Sequence, residues 1–189
     1  NEIYTQLQAL NLAIYTPSDF ILPSRIGRYI DLEKTGKESG LSMQGREKGI
    51  RQLMAINMLK RLESSVNSFR LTIQRIQELI QNTISRIENF AQGRYEYTSL
   101  ETEDYYPSMV AEEEEFYGSS FIGGKKTKID LADMDYASWR QYLIQDKETL
   151  NFLLTMLQDI TPLHDSKLQQ LIADLDYKFT HPINGENKK

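Results

Sequence analysis

The chain has 189 residues, 40% apolar and 26% charged, with a net charge of −5. That length and balance fit one soluble domain or a domain with an appendage. It holds no Cys and only His164 and His181, which excludes disulfides, thiolate nucleophiles, Cys-based zinc and multi-histidine metal sites. No apolar run approaches the roughly 18 residues that cross a bilayer and no signal peptide opens the chain, which predicts a cytoplasmic protein with no membrane partner.

Ile3, Leu7, Leu10 and Ile14 fall at helical spacing and predict a short amphipathic helix over 2–14. Thr16-Pro17-Ser18-Asp19 reads as the start of a second one. Thr16 would be its N-cap, Pro17 its first helical residue and Asp19 the acid of its first turn, with Pro23 ending it. Gly36, Gly40 and Gly45 stand among charges over 31–45 and predict a mobile connection. Residues 1–45 are thus expected to be short helices and loop.

Residues 46–92 contain no proline, and Gly93 stands where a C-terminal cap belongs. Leu59, Leu62, Val66, Phe69, Ile73, Ile76, Ile80, Thr83, Ile87 and Phe90 step by threes and fours. Such a sustained seam predicts one long helix, roughly 70 Å at 1.5 Å per residue, that needs a partner along its length. Trp139, Leu143, Asp146, Leu150, Leu153, Leu157 and Ile160 repeat the spacing, with Asp146 as the polar break. They supply that partner as an antiparallel return helix. A further helix, from about Asp165 to Lys178, would turn Leu168, Leu171, Ile172 and Leu175 inward and stop before His181-Pro182. Return helices therefore occupy 135–180, and 181–189 form an exit linker.

The insertion 93–134 interleaves Tyr95, Tyr97, Tyr105, Tyr106, Phe116 and Tyr117 with Glu112 to Glu115. Phe116 to Ile122 and Lys125 to Leu131 flank Gly123-Gly124, a turn that suits a small β-hairpin. The remainder reads as irregular or partly disordered. The fold class is accordingly mainly α, a long antiparallel helical hairpin or bundle with an acidic, partly irregular insertion.

Charge is segregated. Residues 25–75 carry +6, whereas 93–135 carry −7. A basic stretch suggests contact with phosphates, and the acidic one could fold back and compete with it. The candidate nucleic-acid-binding residues are Arg46, Lys48, Arg51, Lys60 and Arg61, within a basic set that includes Arg70 and Arg75. The competing reading is a solvated helix face with Glu47 and Glu63 as local partners.

Catalytic and metal sites find no support. Gly123-Gly124-Lys125-Lys126-Thr127 misses the phosphate-loop spacing. Glu112 to Glu115 reads as a self-repelling solvated run. His164 beside Asp165 lacks a nucleophile and a third member, so it suits a helix start. Trp139, on the seam, suits core packing better than base stacking.

From Gly45-Arg46-Glu47-Lys48-Gly49-Ile50 to Lys60-Arg61-Leu62-Glu63-Ser64-Ser65 and Phe69-Arg70, the chain resembles bacterial Swi/Snf-type superfamily-two helicases. Many of these carry a phospholipase-D-like module. Asp165-Ser166-Lys167-Leu168 and Asn187-Lys188-Lys189 are similar to the approach to the second motor lobe, and Ile3-Tyr4 with Leu7 to the helix leaving the first. With Asn1 in place of Met, this predicts a helical piece of a longer protein, lying between two motor lobes. The resemblance implies ATP and Mg²⁺ in the parent and none in this chain. It also implies the motor lobes and DNA as partners, with oligomeric state open. No lysine loop, DEAH-type acid or arginine finger is present, so no motor residue carries over. A protein-interaction hairpin without a nucleic-acid role is the alternative.

Overall fold

The computed structural model describes residues 2–29, 42–94, 99–100, 129–164 and 166–181. The principal helices among them are α1 (Glu2–Ala9), α2 (Met43–Ser64), α3 (Val66–Ala91), α4 (Tyr136–Met156) and α5 (Ser166–Thr180). The described residues are mainly helical. One short antiparallel pair, β1 (Ser99–Leu100) with β2 (Ile129–Asp130), joins the two ends of the insertion. The Gly123-Gly124 turn of the expected hairpin, the Glu112 to Glu115 run and the expected mobile glycines Gly36 and Gly40 lie outside the described residues. Within the hairpin's second strand, Lys125 to Leu131, Ile129 and Asp130 are described and pair with Leu100 and Ser99.

The two seams meet. On α3 the buried positions are Phe69, Thr72, Ile73, Ile76, Ile80, Thr83, Ile84 and Ile87. On α4 they are Trp139, Leu143, Asp146, Leu150 and Leu153. Cross-links between the helices fix their direction. Arg70 reaches the Leu157 and Ile160 carbonyls, Gln77 meets Asn151, Lys147 meets Gln81, and Arg140 pairs with Glu88. Phe90 stands edge-on to Tyr136. Numbers rise on one helix as they fall on the other, so the pair is antiparallel.

The single long helix is corrected. It begins at Met43 rather than Arg46, and it breaks at Ser65, whose backbone is extended with φ −158° and ψ 123°. Ser65 ends one helix and starts the next, its hydroxyl accepting the Ser68 N–H at 3.3 Å. Serine competes for the backbone in this way, which is why it favours caps over helix interiors. The rod is thereby replaced by a 26-residue α3 of roughly 39 Å and a separate α2 that packs beside it. Leu59, Leu62 and Val66, near the break, are only half-buried.

Helix ends otherwise follow local chemistry. Gly93 adopts φ 67° after α3, with its N–H on the Phe90 carbonyl and the Arg94 N–H on the Asn89 carbonyl. Only the left-handed region allows that pair of bonds, and glycine enters it without strain. Asp135 caps α4 by accepting from the Ser138 N–H, and the Ser138 side chain and backbone together hold its carboxyl below the usual carboxylate range.

Two amino-terminal expectations change. α1 stops at Ala9, and Ile14 belongs to a 3-10 turn, Ala13–Tyr15. The second start gives another 3-10 turn, Pro17–Phe20, with Pro17 leading it but no side-chain cap from Thr16. The Ser18 N–H that a capping threonine would satisfy is taken by Glu47 instead.

The last helix also differs. α5 has no buried residue, and Leu171 (54%), Ile172 (44%), Leu175 (44%) and Phe179 (73%) face outward. The expected inward face is therefore largely exposed rather than packed into the core. Lys167 ties the start of α5 to the Glu63 carbonyl at the end of α2.

Candidate functional site

The nucleic-acid expectation rests on Arg46, Lys48, Arg51, Lys60 and Arg61. All five sit on α2: Lys48 and Lys60 are exposed, and Arg46, Arg51 and Arg61 are half-buried. At about 100° per residue they spread around the helix, and Arg46 and Arg61 stand roughly 22 Å apart along it. Lys48 and Arg51, three apart, are neighbours on one side. Arg61 donates to the Ser68 hydroxyl across the break at 3.0 Å. Arg70 is drawn into the fold, donating at 2.7 and 3.0 Å to the Leu157 and Ile160 carbonyls. That is a structural task, since a guanidinium satisfies carbonyls left open at a helix C-terminus.

A different concentration of polar groups lies inside. Residues 12–18 are all buried, running between α1 and the rest as a strap across α2 and α4. Two carboxylates hold it. Asp146 accepts the Asn11 N–H on one oxygen at 2.7 Å and the Ala13 N–H on the other at 2.8 Å. Between them Leu12 takes the left-handed φ of 51°. Hydrogen bonds to a carboxylate offset that strain and explain why the helix does not continue to Ile14. The Trp139 indole donates to the Ala13 carbonyl at 2.9 Å.

Glu47 holds the other end. One of its oxygens accepts both the Ser18 N–H at 3.0 Å and the Ser18 hydroxyl at 2.5 Å. The second oxygen, Oε1, is buried with no hydrogen-bond partner. Burial pushes this carboxyl up to about 8, against the lowering effect of the Ser18 bonds. Glu47 therefore binds a proton near neutrality rather than pairing with basic neighbours on a solvated face. Asp146 is also raised, again by desolvation, with its backbone donors opposing the shift.

A carboxyl with a folded value near 8 and an unfolded one near 4.5 binds more protons when folded, so stability falls as pH rises through that window. Between pH 5.5 and 7.5 the loss is on the order of 2–3 kcal/mol, at about 1.4 per unit. Urea melts at the two pH values should show it, and Glu47→Gln should remove most of it.

A third cluster ties the segment after the strap to the approach to α4. Asp133, buried, accepts from Arg28 at 2.6 Å and from the Tyr29 hydroxyl at 2.9 Å, and Arg25 lies 3.5 Å away. Ile21 bridges Met134 there.

The sequence marked Asp146 only as a seam break and Glu47 only as a surface partner. A signal for Glu47 existed: Met43, Glu47, Ile50, Met54 and Met58 step at helical spacing, so Glu47 stands on an apolar stripe. His164 receives the Thr161 N–H on Nδ1 at 3.2 Å, a local turn contact. Among the described residues, no three His, Asp or Glu side chains gather so as to hold a metal ion, and no helix is long and apolar enough to cross a membrane.

The chain matches no protein-family model, no curated protein and no solved structure.

Proposed function

We propose that this chain is a non-catalytic helical arm of a cytoplasmic ATP-dependent DNA helicase or translocase, lying between its motor lobes. The setting comes from the resemblance over residues 45–70. ATP and Mg²⁺ would belong to the parent's lobes and not to this chain. The observation that carries the mechanical part is the antiparallel α3/α4 pair, whose buried seam runs from Phe69 to Ile87 on one side and Trp139 to Leu153 on the other. Close-packed helices of this kind transmit displacement with little compliance.

DNA contact would be made by Lys48 and Arg51, with Arg46, Lys60 and Arg61 adding charge around α2. Contacts of that sort position the backbone without reading sequence. In the full motor polypeptide, Lys48→Glu with Arg51→Glu should weaken DNA-stimulated ATP hydrolysis. It should also reduce the salt slope of binding by roughly one per lost phosphate contact. An unchanged slope removes the DNA-contact clause and leaves the brace.

One observation favours a second reading, a protein-interaction hairpin with no nucleic-acid role. The face of α5 bearing Leu168, Leu171, Ile172, Leu175 and Phe179 is apolar and exposed, as partner-binding surfaces are. In the inter-lobe reading the second lobe would cover it. Ile172→Asp with Leu175→Asp separates the two: lost coupling of ATP hydrolysis to movement supports the arm. A lost partner with intact motor activity supports the hairpin.

A further inference from the structure

The strap 12–18 is buried along its whole length yet forms no helix longer than four residues. Several of its backbone groups are satisfied from α2 and α4. Its two anchors are unlike. Both oxygens of Asp146 meet an N–H, an arrangement that suits an anion. Glu47 concentrates both donors on one oxygen and leaves the other buried with no hydrogen-bond partner from the protein.

A neutral carboxyl tolerates that asymmetry at the cost of one unpaired but uncharged O–H, its proton resting on Oε1. An ionised one does not, since half of a buried anion would lack a donor. Among the described residues the charges acting on Glu47 are Asp19, in the turn after the strap, and Arg46 on its own helix. Asp19 opposes ionisation and Arg46 favours it. Tyr15, in the other strap turn, is pushed up by burial and stays neutral through this range.

We infer that Glu47 is a proton-operated latch: the neutral carboxyl holds residues 11–18 down, and its ionisation frees that strap while α3 and α4 stay paired. The strap meets α4 at Asp146 and Trp139, and its departure breaks none of the polar links between α3 and α4. On release the carboxylate is hydrated at once, and so is the Ser18 N–H. Opening then uncovers the apolar surfaces of α2 and α4 that the two 3-10 turns cover. Proteins open in such sub-global units when one segment has its own anchors. With the folded and open values near 8 and 4.5, opening grows about tenfold per pH unit between them and levels off above 8.

Hydrogen exchange of this chain between pH 5.5 and 9, corrected for intrinsic chemistry, reads this directly. Protection of residues 12–18 should fall about tenfold per pH unit to near pH 8 and then flatten. Protection over 73–87 of α3 should stay higher throughout. Trp139, the single tryptophan, reports independently, because release frees its indole from the Ala13 carbonyl. In Glu47→Gln the strap's protection should become flat with pH. Flat protection in the native chain, or a fall shared equally by strap and α3, overturns the latch. So does a slope above pH 6 that survives Glu47→Gln and vanishes in Asp146→Asn. Should Glu47→Gln fail to fold, Ser18→Ala decides: it removes the hydroxyl donor, keeps the carboxyl, and should extend the falling limb to higher pH. An unmoved limb in that variant overturns the latch too.

Discussion

Asp146→Ala should destabilise the fold by about 3–5 kcal/mol, close to the whole stability of a marginal domain. The side chain is buried in the middle of an apolar stripe, and its two oxygens take the Asn11 and Ala13 N–H groups at 2.7 and 2.8 Å. Hydrogen bonds to a charged acceptor contribute about 1.5–3 kcal/mol each, and deletion strands the buried Ala13 N–H, while the Asn11 N–H lies at the solvent edge. Relief of the desolvation that raises the Asp146 carboxyl works the other way. The two short bonds outweigh it, because without them only the Trp139 indole on the Ala13 carbonyl holds a turn in which Leu12 is left-handed. Asp146→Asn should cost less, about 1–3 kcal/mol, since its amide accepts one N–H and opposes the other. Urea denaturation followed by Trp139 fluorescence and by circular dichroism measures both. A loss under about 1 kcal/mol for Asp146→Ala would mean that packing, Glu47 and the Trp139 indole hold the strap without Asp146.

The helical hairpin was legible because period and direction are local properties of a seam. Ile73, Ile76, Ile80 and Ile87 repeat whatever they meet, and so do Leu143, Leu150 and Leu153. Gly93 was legible for the same reason, since only a left-handed residue can close α3 with those two bonds. Ser65 was not, although the signal was printed there: a serine pair inside an otherwise unbroken pattern marks a helix end only if the chain turns. The strap was hidden more deeply. Nothing in residues 10–16 records that a carboxylate more than 130 positions later will take their amides. Tertiary hydrogen bonds overrode the helical periodicity of Leu7, Leu10 and Ile14. α5 shows the converse limit. Leu168, Leu171, Ile172 and Leu175 specify an apolar face and not the surface it meets.

The α3/α4 seam predicts a contrast within one helix. Ile80, fully buried, should cost about 2–5 kcal/mol when cut to Ala, from lost burial and the void left behind. Leu71, on the same helix but 47% exposed, should cost well under half of that. The polar seam positions sharpen the test. Thr72 and Thr83 are buried, and each hydroxyl donates to the carbonyl four residues earlier, Ser68 and Leu79, at 2.9 Å. Those carbonyls already lie within helix ladders, so the hydroxyl satisfies itself without adding a new tie between helices. Thr83→Val keeps the branched shape and removes a buried polar group. It should leave stability unchanged or raise it by up to about 1 kcal/mol. Equal losses at Ile80 and Leu71 would mean that α3 is held by its own propensity rather than by α4. A large loss at Thr83→Val would mean that the hydroxyl reaches across the seam, which would recast this pair as polar-specified instead of packed.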